Sequence, residues 1–574
     1  MKVPPEKILS ITFTRLAALE MKSRAGILLG ENAASVTFST FHSLFFNILK
    51  HTYRFNSENI INSETKLTLL KDSLRETMLP DDAQNLDTAE ILRDISVYKR
   101  LIDKSSFLSS HLDQASFGKL YESYTRKCAS LKLIDFDDMP LFCKRLFDSR
   151  RDILEKWRDK FEFIMIDEFQ DIDPLQFELI KMLSGPDGNV FAVGDDDQSI
   201  YGFRGARPEI MLDFKEHFPG ECEIFLSENF RSAKAIVEGA GRLIGINTKR
   251  IGKNITAVKD DTGELSIRSF ESREEEFRVL SEEIKLMTPD ELAQTAVLFR
   301  NNSLCSFFAD VLSSLGVPFK CRERLNDIYD NSIARDILDY LRLFDGEKLR
   351  SVFFRVMNHP YRYISREGVS GSEFSFEEVE RYHRGDIRTL NAVRKLKRDL
   401  KMGGEMNPYA AVHFILSGMG YENYIKDREK KAGKGKGELL KIALEIKERA
   451  KGYKSKREFL VAVEEYEKEL RIANSKANSE GLKTDKAVTV MTYHAAKGLE
   501  YDTVYLPEVC EGIIPSFNAT FASDIEEERR LFYVGMTRAR DKLFVSYSEN
   551  YGGKPLKKSR FVDEIYEKTD ELKP

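Results

Sequence analysis

Residues 161–171 read FEFIMIDEFQD, and the reading of this stretch decides how the rest of the chain is understood. From Phe161 to Ile166 it is apolar but for Glu162, the composition of a short strand buried on both faces of a parallel sheet. The run stops at two adjacent acids, Asp167 and Glu168. An apolar strand tipped with acids puts carboxylates at a strand's carboxyl end, where open α/β sheets bind ligands. Asp167 could then hold a Mg²⁺ that bridges nucleotide phosphates, and Glu168 could orient and deprotonate an attacking water. The same residues also suit a core strand that ends in a solvated turn, its acids capping the next helix.

Working outward, 574 residues leave room for several domains, each able to bury a core. Hydrophobic content of 42% and charged content of 32% are those of a globular protein. A net charge of −5 excludes an overall basic coat, so a nucleic-acid surface has to be a local groove. The 6 cysteines are scattered, with no CxxC spacing, which argues against a disulfide framework or an iron–sulfur site and for a reducing cytoplasm. No apolar run reaches membrane-spanning length, so no membrane partner is expected.

Strands are predicted at 8–13 and 35–38, with a helix between them. Each strand leads into a turn with Thr and Phe: Thr12-Phe13-Thr14 and Thr40-Phe41-His42. Hydroxyls and amides suit phosphate contacts, and exposed aromatics suit base stacking; for either turn alone, Phe13 and Phe41 as core residues, with His42 satisfied in its turn, is the favoured reading. Residues 44–160 read as helical. After the opening stretch come a helix at 174–183 and a strand at 189–193 that runs into GDDDQSIYGFRGA, 194–206. Gln198 there can bond a terminal phosphate or the attacking water. Tyr201, Phe203 and Arg204 combine two aromatics with a cation, as a single-strand stacking platform needs, although an acidic turn with inward-packed aromatics has the same composition. A strand at 223–226 precedes Asn229-Phe230-Arg231, where Arg231 could neutralise a transferring phosphoryl group or simply face solvent.

A βαβα alternation at 265–315 signals a second α/β domain. Residues 331–484 are again helical, and they include KAGKGKG at 431–437. That tract lacks a final Ser/Thr and a preceding strand, so it reads as a flexible basic loop. Strands return at 487–491, 503–506 and 542–546, with a helix at 525–533. The expected organisation is two α/β domains, 1–45 with 160–227 and 228–330 with 485–565. Each carries a helical insertion, 46–159 and 331–484.

Taken together these residues resemble the UvrD/PcrA/Rep group of superfamily 1 DNA helicases. The resemblance runs from about Ile8 to Ser546 and keeps the family's order: Thr12-Phe13-Thr14, Thr40-Phe41-His42, Asp167-Glu168-Phe169-Gln170-Asp171, 194–206, Asn229-Phe230-Arg231, Met491-Thr492 to His494, Lys497-Gly498-Leu499-Glu500, and EERRLFYVGMTRAR at 527–540. One such element is a weak signal; the ordered set is specific. It implies two RecA-like parallel-sheet motor domains, ATP and Mg²⁺ as substrate and cofactor, and 3′–5′ movement on single-stranded DNA. Single/double-strand junctions would also be bound, by a monomer or weak dimer. By position, Asp167 would coordinate Mg²⁺ and Glu168 would activate water. Gln198 would sense the γ-phosphate, and Arg231 and Arg538 would stabilise transition-state charge. Phe230 would stack on adenine and Glu500 would contact the ribose. Phe13, Thr14, Thr40, Phe41, His42, Tyr201, Phe203, Arg204, Thr492 and His494 would line the strand path.

The chain also departs from the family. Phe203 stands where Trp is usual and Phe230 where Tyr is usual. Tyr363-Ile364-Ser365 replaces a duplex-contacting Gly-Ile-Gly. No GxxxxGK[ST] phosphate loop occurs in the sequence, so the cradle and lysine for the β/γ-phosphates are missing. The expectation is an N-terminally truncated helicase, inactive as an ATPase in this form. The alternative is a motor-dead relative that binds DNA or a partner.

Overall fold

The computed structural model of the protein describes all residues except 1–2, 79–87, 106, 110–111, 187, 219, 221, 260, 324–327, 432–437, 478–485 and 567–574. The basic loop predicted at 431–437 therefore falls almost wholly outside the described residues. The chain divides into two units. The first comprises Met1–Ser227, Ile244–Asn254 and Ala522–Tyr533; the second comprises Glu228–Leu243, Ile255–Phe521 and Val534–Pro574.

The first unit is built on four parallel strands: β1 (Ile8–Thr12), β2 (Thr37–Thr40), β3 (Phe163–Ile166) and β4 (Asn189–Ala192), in the order β2-β1-β3-β4. Leu9 pairs with Ile164 and Ile11 with Ile166, and all four are buried. On the opposite face Ser10 lies beside Met165 and Met165 beside Phe191, and here Met165 is 40% and Phe191 58% exposed. The decisive strand is thus buried on one face only, not on both as its composition suggested. Side chains alternate across a strand, and on this second face the helix Arg15–Leu29 reaches β1, where Ser10 Oγ lies 3.8 Å from Met21 Sδ, while Met165 and Phe191 of β3 and β4 stay open.

Helices start where the sequence supplies caps. Thr14 Oγ1 accepts the Ala17 N–H (3.1 Å) to open α1 (Arg15–Leu29), and Thr40 Oγ1 accepts the Ser43 N–H (3.2 Å) to open α2 (Phe41–Tyr53). Asp173 and Gln176 form a reciprocal capping box, with proline at the first position, ahead of α3 (Pro174–Ser184). The helices from Ser63 to Ser130 carry a core of their own, centred on Leu70, Ile95, Leu120 and Tyr124, whereas those at 138–160 join the core under the sheet through Met139, Cys143, Phe147 and Leu154.

Residues 223–226, expected as a strand, form none. EIFL has strand composition, but Ile224 and Leu226 are 74% and 82% exposed, and the pairing found here begins only at Glu228–Asn229. A strand needs a ladder partner, and no described residue supplies one.

In the second unit α4 (Lys234–Ile244) precedes an all-parallel sheet of six strands. These are β5 (Glu264–Phe270), β6 (Thr295–Phe299), β7 (Phe319–Cys321), β8 (Val488–Thr492), β9 (Tyr501–Leu506) and β10 (Ala539–Ser548), ordered β5-β10-β9-β6-β8-β7. Every residue of β6 and β8 is buried, as a strand covered on both faces requires. Helix α5 (Arg273–Lys285) packs on this sheet, and α6 (Ala522–Met536) leads into β10. One continuous core joins Phe277 and Val490 of the sheet region to Ile337, Ile415 and Tyr466 of the helical insertion, so this insertion has no separate core. Among the described residues, no helix is long and apolar enough to cross a membrane.

Candidate active site

The acids open the site. Asp167 follows β3, its N–H given to Ile11 O at 2.9 Å, and Glu168 follows with φ +55°. A non-glycine residue in the left-handed region is uncommon and marks a turn worth functional attention. Both carboxylates are half-buried at the carboxyl end of the parallel strands. Gln170, 1% exposed, donates from Nε2 to Glu168 Oε2 at 2.6 Å and accepts the Asp195 N–H on Oε1 at 3.0 Å. Asp195 Oδ2 in turn accepts Gln198 Nε2 at 2.6 Å. The end of β3 and the loop after β4 are thereby joined, and Glu168 is linked to Gln198 through Gln170 and Asp195, with Asp167 next to Glu168 in the chain. Asp167 offers the hard oxygen donors that Mg²⁺ takes.

Asp195, Asp196 and Asp197 also bring three carboxylate oxygens within 4.8 Å of one another, a spacing that a metal ion could use. The molecule answers that charge with its own cations. Lys253 Nζ contacts Asp195 Oδ1, Asp196 Oδ1 at 2.6 Å and Asp197 Oδ2 at 3.2 Å, while Arg250 grips Asp197 through two bonds of 2.9 and 2.7 Å. Burial alone would lower the Lys253 ammonium. The Asp195, Asp197 and Asp196 carboxylates outweigh it and raise the value well above the lysine range. The sequence reading gave 244–254 and 522–533 to the second domain; these pairs explain why 244–254 belongs with the first unit. Residues 522–533 follow, because Arg529 bonds Asn247 Oδ1 at 2.6 Å and Arg530 bonds Lys249 O at 3.0 Å.

The residues expected to face a DNA strand divide. Phe203 is 59% exposed, with its ring 6.1 Å from that of Tyr201, and two close approaches fix their loop. A Cβ on Gly194 would lie 2.5 Å from Gln170 Oε1, and one on Gly202 would lie 2.7 Å from Glu527 Oε1. Arg204 sits in the same turn, but its side chain lies outside the described residues. Phe13 is half-buried against Phe41, 5.2 Å between centroids. Phe41 itself is 1% exposed in the sheet core, and an enclosed ring cannot stack on a base, which corrects that expectation. Thr14 and Thr40 spend their hydroxyl oxygens on helix caps. His42, edge-on to Phe136, has its pKa lowered chiefly by burial, partly countered by Asp137.

In the second unit Phe230 is 69% exposed beside Arg231. Glu500 accepts Arg231 Nε at 2.6 Å and Arg540 Nη2 at 2.5 Å, and Arg540 also reaches Asp502 at 2.9 Å. Arg540, then Arg231, holds the Glu500 carboxyl down to about 2. Thr492, expected on the strand path, is 6% exposed, and its hydroxyl goes to Glu323 at 2.6 Å; His494 is half-buried nearby in sequence. Arg538 departs furthest from expectation. It is 1% exposed, its guanidinium donating to Val534 O (2.8 Å), Leu499 O (3.2 Å) and Thr537 Oγ1 (3.0 Å). In this conformation these bonds tie the end of α6 to the 499–501 turn of its own unit.

Sequence reasoning missed Gln170, Arg250, Lys253 and Arg540. Gln170 and Arg540 stood inside quoted motifs without a role. Lys253 lies 58 positions from Asp195, with no local signal linking them.

Comparison with known proteins places these features. The family described as UvrD/REP helicase N-terminal domain matches residues 1–219, and UvrD-like helicase C-terminal domain matches 224–382 and 387–550. YjcD of Bacillus subtilis is 32% identical over 591 residues, covering 99% of this chain and 76% of YjcD. DNA helicase II of Escherichia coli is 29% identical over 98% of this chain and 81% of its own length. For the ATP-dependent DNA helicase PcrA of B. subtilis the figures are 29%, 98% and 80%. The two parallel α/β units are RecA-like motor domains, and the chain belongs to the UvrD-like helicase family.

Proposed function

We propose that this chain binds single-stranded DNA and holds the magnesium, water and sensor side of an ATP-hydrolysing 3′–5′ DNA translocase of the UvrD type. The observation that carries the reading is the hydrogen-bonded set Glu168–Gln170–Asp195–Gln198 beside Asp167, at the carboxyl ends of β3 and β4. Asp167 would hold Mg²⁺, which when bound neutralises phosphate charge. Glu168 orients a water and takes its proton; Gln198 bonds the terminal phosphate or that water. Arg231 leaves Glu500 to meet phosphate charge, Phe230 stacks on the base, and Glu500 turns to the ribose. Tyr201 and Phe203 stack on the DNA strand, and single/double-strand junctions are the natural duplex substrate. Release of the Arg538 bonds would be needed before that guanidinium could join.

The 574 residues contain no GxxxxGK[ST], so hydrolysis by this chain itself is weak or nil. ATPase assays with and without oligo(dT) test this. Strong DNA-stimulated hydrolysis overturns the weak-activity claim. Any measurable hydrolysis should vanish in Glu168→Gln with DNA binding retained, and unwinding only from 5′ tails would refute the polarity. The second reading is a motor-dead relative that binds DNA or a partner; DNA binding that ATP and its analogues leave unchanged would support it, whereas retention of Glu168, Gln198, Arg231 and Arg538 favours the first.

A further inference from the structure

Gln170 is the one side chain described above that touches both the acid assigned to water and the loop assigned to DNA. Its amide orientation is set by chemistry: the Glu168 carboxylate only accepts and the Asp195 N–H only donates, so the nitrogen must face Glu168 and the oxygen Asp195. Its backbone carbonyl accepts Ser199 Oγ at 3.1 Å, adding a second tie to the same loop. Both partners meet a side chain that is almost wholly enclosed, so movement of Asp195 has little slack before it reaches Glu168. Gly194 leaves the space the amide oxygen needs, since a Cβ there would approach it to 2.5 Å.

We propose that Gln170 is a positioning residue through which the Asp195–Phe203 loop sets the Glu168 carboxylate, so that a single strand held on Tyr201 and Phe203 is felt at Glu168. This rests on the reading of Glu168 and of the loop given above. Gln170 itself neither binds substrate nor moves a proton. Methionine at 170 keeps the volume and loses both bonds; asparagine is one methylene too short to span them.

The test uses the whole chain and needs no ATP. A carbodiimide with an amine quencher modifies carboxylates, and peptide mass spectrometry reads the rate at Glu168, with surface Glu162 as control. Oligo(dT) should change the Glu168 rate about twofold or more in the natural chain. In Gln170→Met the rate without DNA should rise about threefold or more, because a charge-assisted bond is gone. Its response to oligo(dT) should be lost, while fluorescence anisotropy shows binding intact. Gly194→Ala, which presses on the amide oxygen from the other side, should also blunt the response, and Gln170→Asn should resemble Gln170→Met. A natural chain whose Glu168 ignores bound oligo(dT), a Gln170→Met chain that still responds, or no oligo(dT) binding at all overturns the proposal. A chain that labels as expected yet hydrolyses no ATP upholds the coupling and removes only the catalytic reading of Glu168.

Discussion

Replacing Lys253 with methionine keeps most of the unbranched stem of the side chain and deletes one charge from a buried cluster. In the natural chain the Asp195, Asp196 and Asp197 carboxylates face two cations, Lys253 and Arg250, for a local balance of −1. In Lys253→Met the balance becomes −2, and Asp196, 1% exposed, keeps only the Ile251 N–H on its carboxylate at 2.8 Å. Removing one partner from a buried ion network costs about 3–5 kcal/mol, because the remaining charge stays desolvated. The lower figure corresponds to local opening about a hundredfold more frequent, read as faster amide hydrogen exchange across 194–206 and 249–253. The three carboxylate oxygens within 4.8 Å would then suit a hard divalent cation. Millimolar Ca²⁺ should therefore restore protection in the variant and leave the natural chain unchanged. Exchange in Lys253→Met within about threefold of the natural chain in the absence of Ca²⁺ would show that the ammonium does not hold this loop.

Arg538→Met strips donors from two backbone carbonyls and a threonine hydroxyl in a site that is 1% exposed, so the end of α6 and the 499–501 turn should lose about 3–5 kcal/mol of protection against exchange. Unchanged protection would show that these bonds do not hold the turn. Asp173 gives a pH signature, since burial raises its carboxyl from 3.8 to about 6. A folded value above the unfolded one means a stabilising contribution that is full below pH 3.8 and is lost as pH rises through 6. Asp173→Asn keeps an acceptor for the Gln176 N–H and cannot ionise, so its α3 amides should gain up to about 3 kcal/mol of protection relative to the natural chain between pH 4 and 7. A pH-independent difference would refute the assignment. Phe203→Ala should weaken oligo(dT) binding by about 1–3 kcal/mol with the salt dependence unaltered; unchanged affinity would remove Phe203 from the strand path.

Where a signal was contiguous in the chain, the sequence carried it. The acid-tipped run at 161–168 identified β3 and its carboxyl end, because strand composition and its stop are written in adjacent residues. Thr14 and Thr40 were noticed for their hydroxyls, but a hydroxyl after a strand serves a helix cap as readily as a phosphate. Phe41 and Arg538 show a different limit. Residue type and motif position say nothing of enclosure, and both side chains prove to be among the most buried in the molecule. EIFL at 223–226 has the right local preference, yet a strand exists only where another backbone completes it. The Lys253–Asp195 pair spans 58 positions, and no local pattern could have joined its ends.

The open side of the first sheet bears on how this protein behaves in bulk. Parallel strands are ordinarily sealed on both faces, but Met165 and Phe191 form part of a water-facing apolar strip, and β4 ends the sheet. Such a strip has little bearing on whether one molecule stays folded; its effect grows with how often two molecules meet. Two copies meeting through this strip would bury it, and the net charge of −5, spread over 574 residues, offers only modest mutual repulsion against such contact.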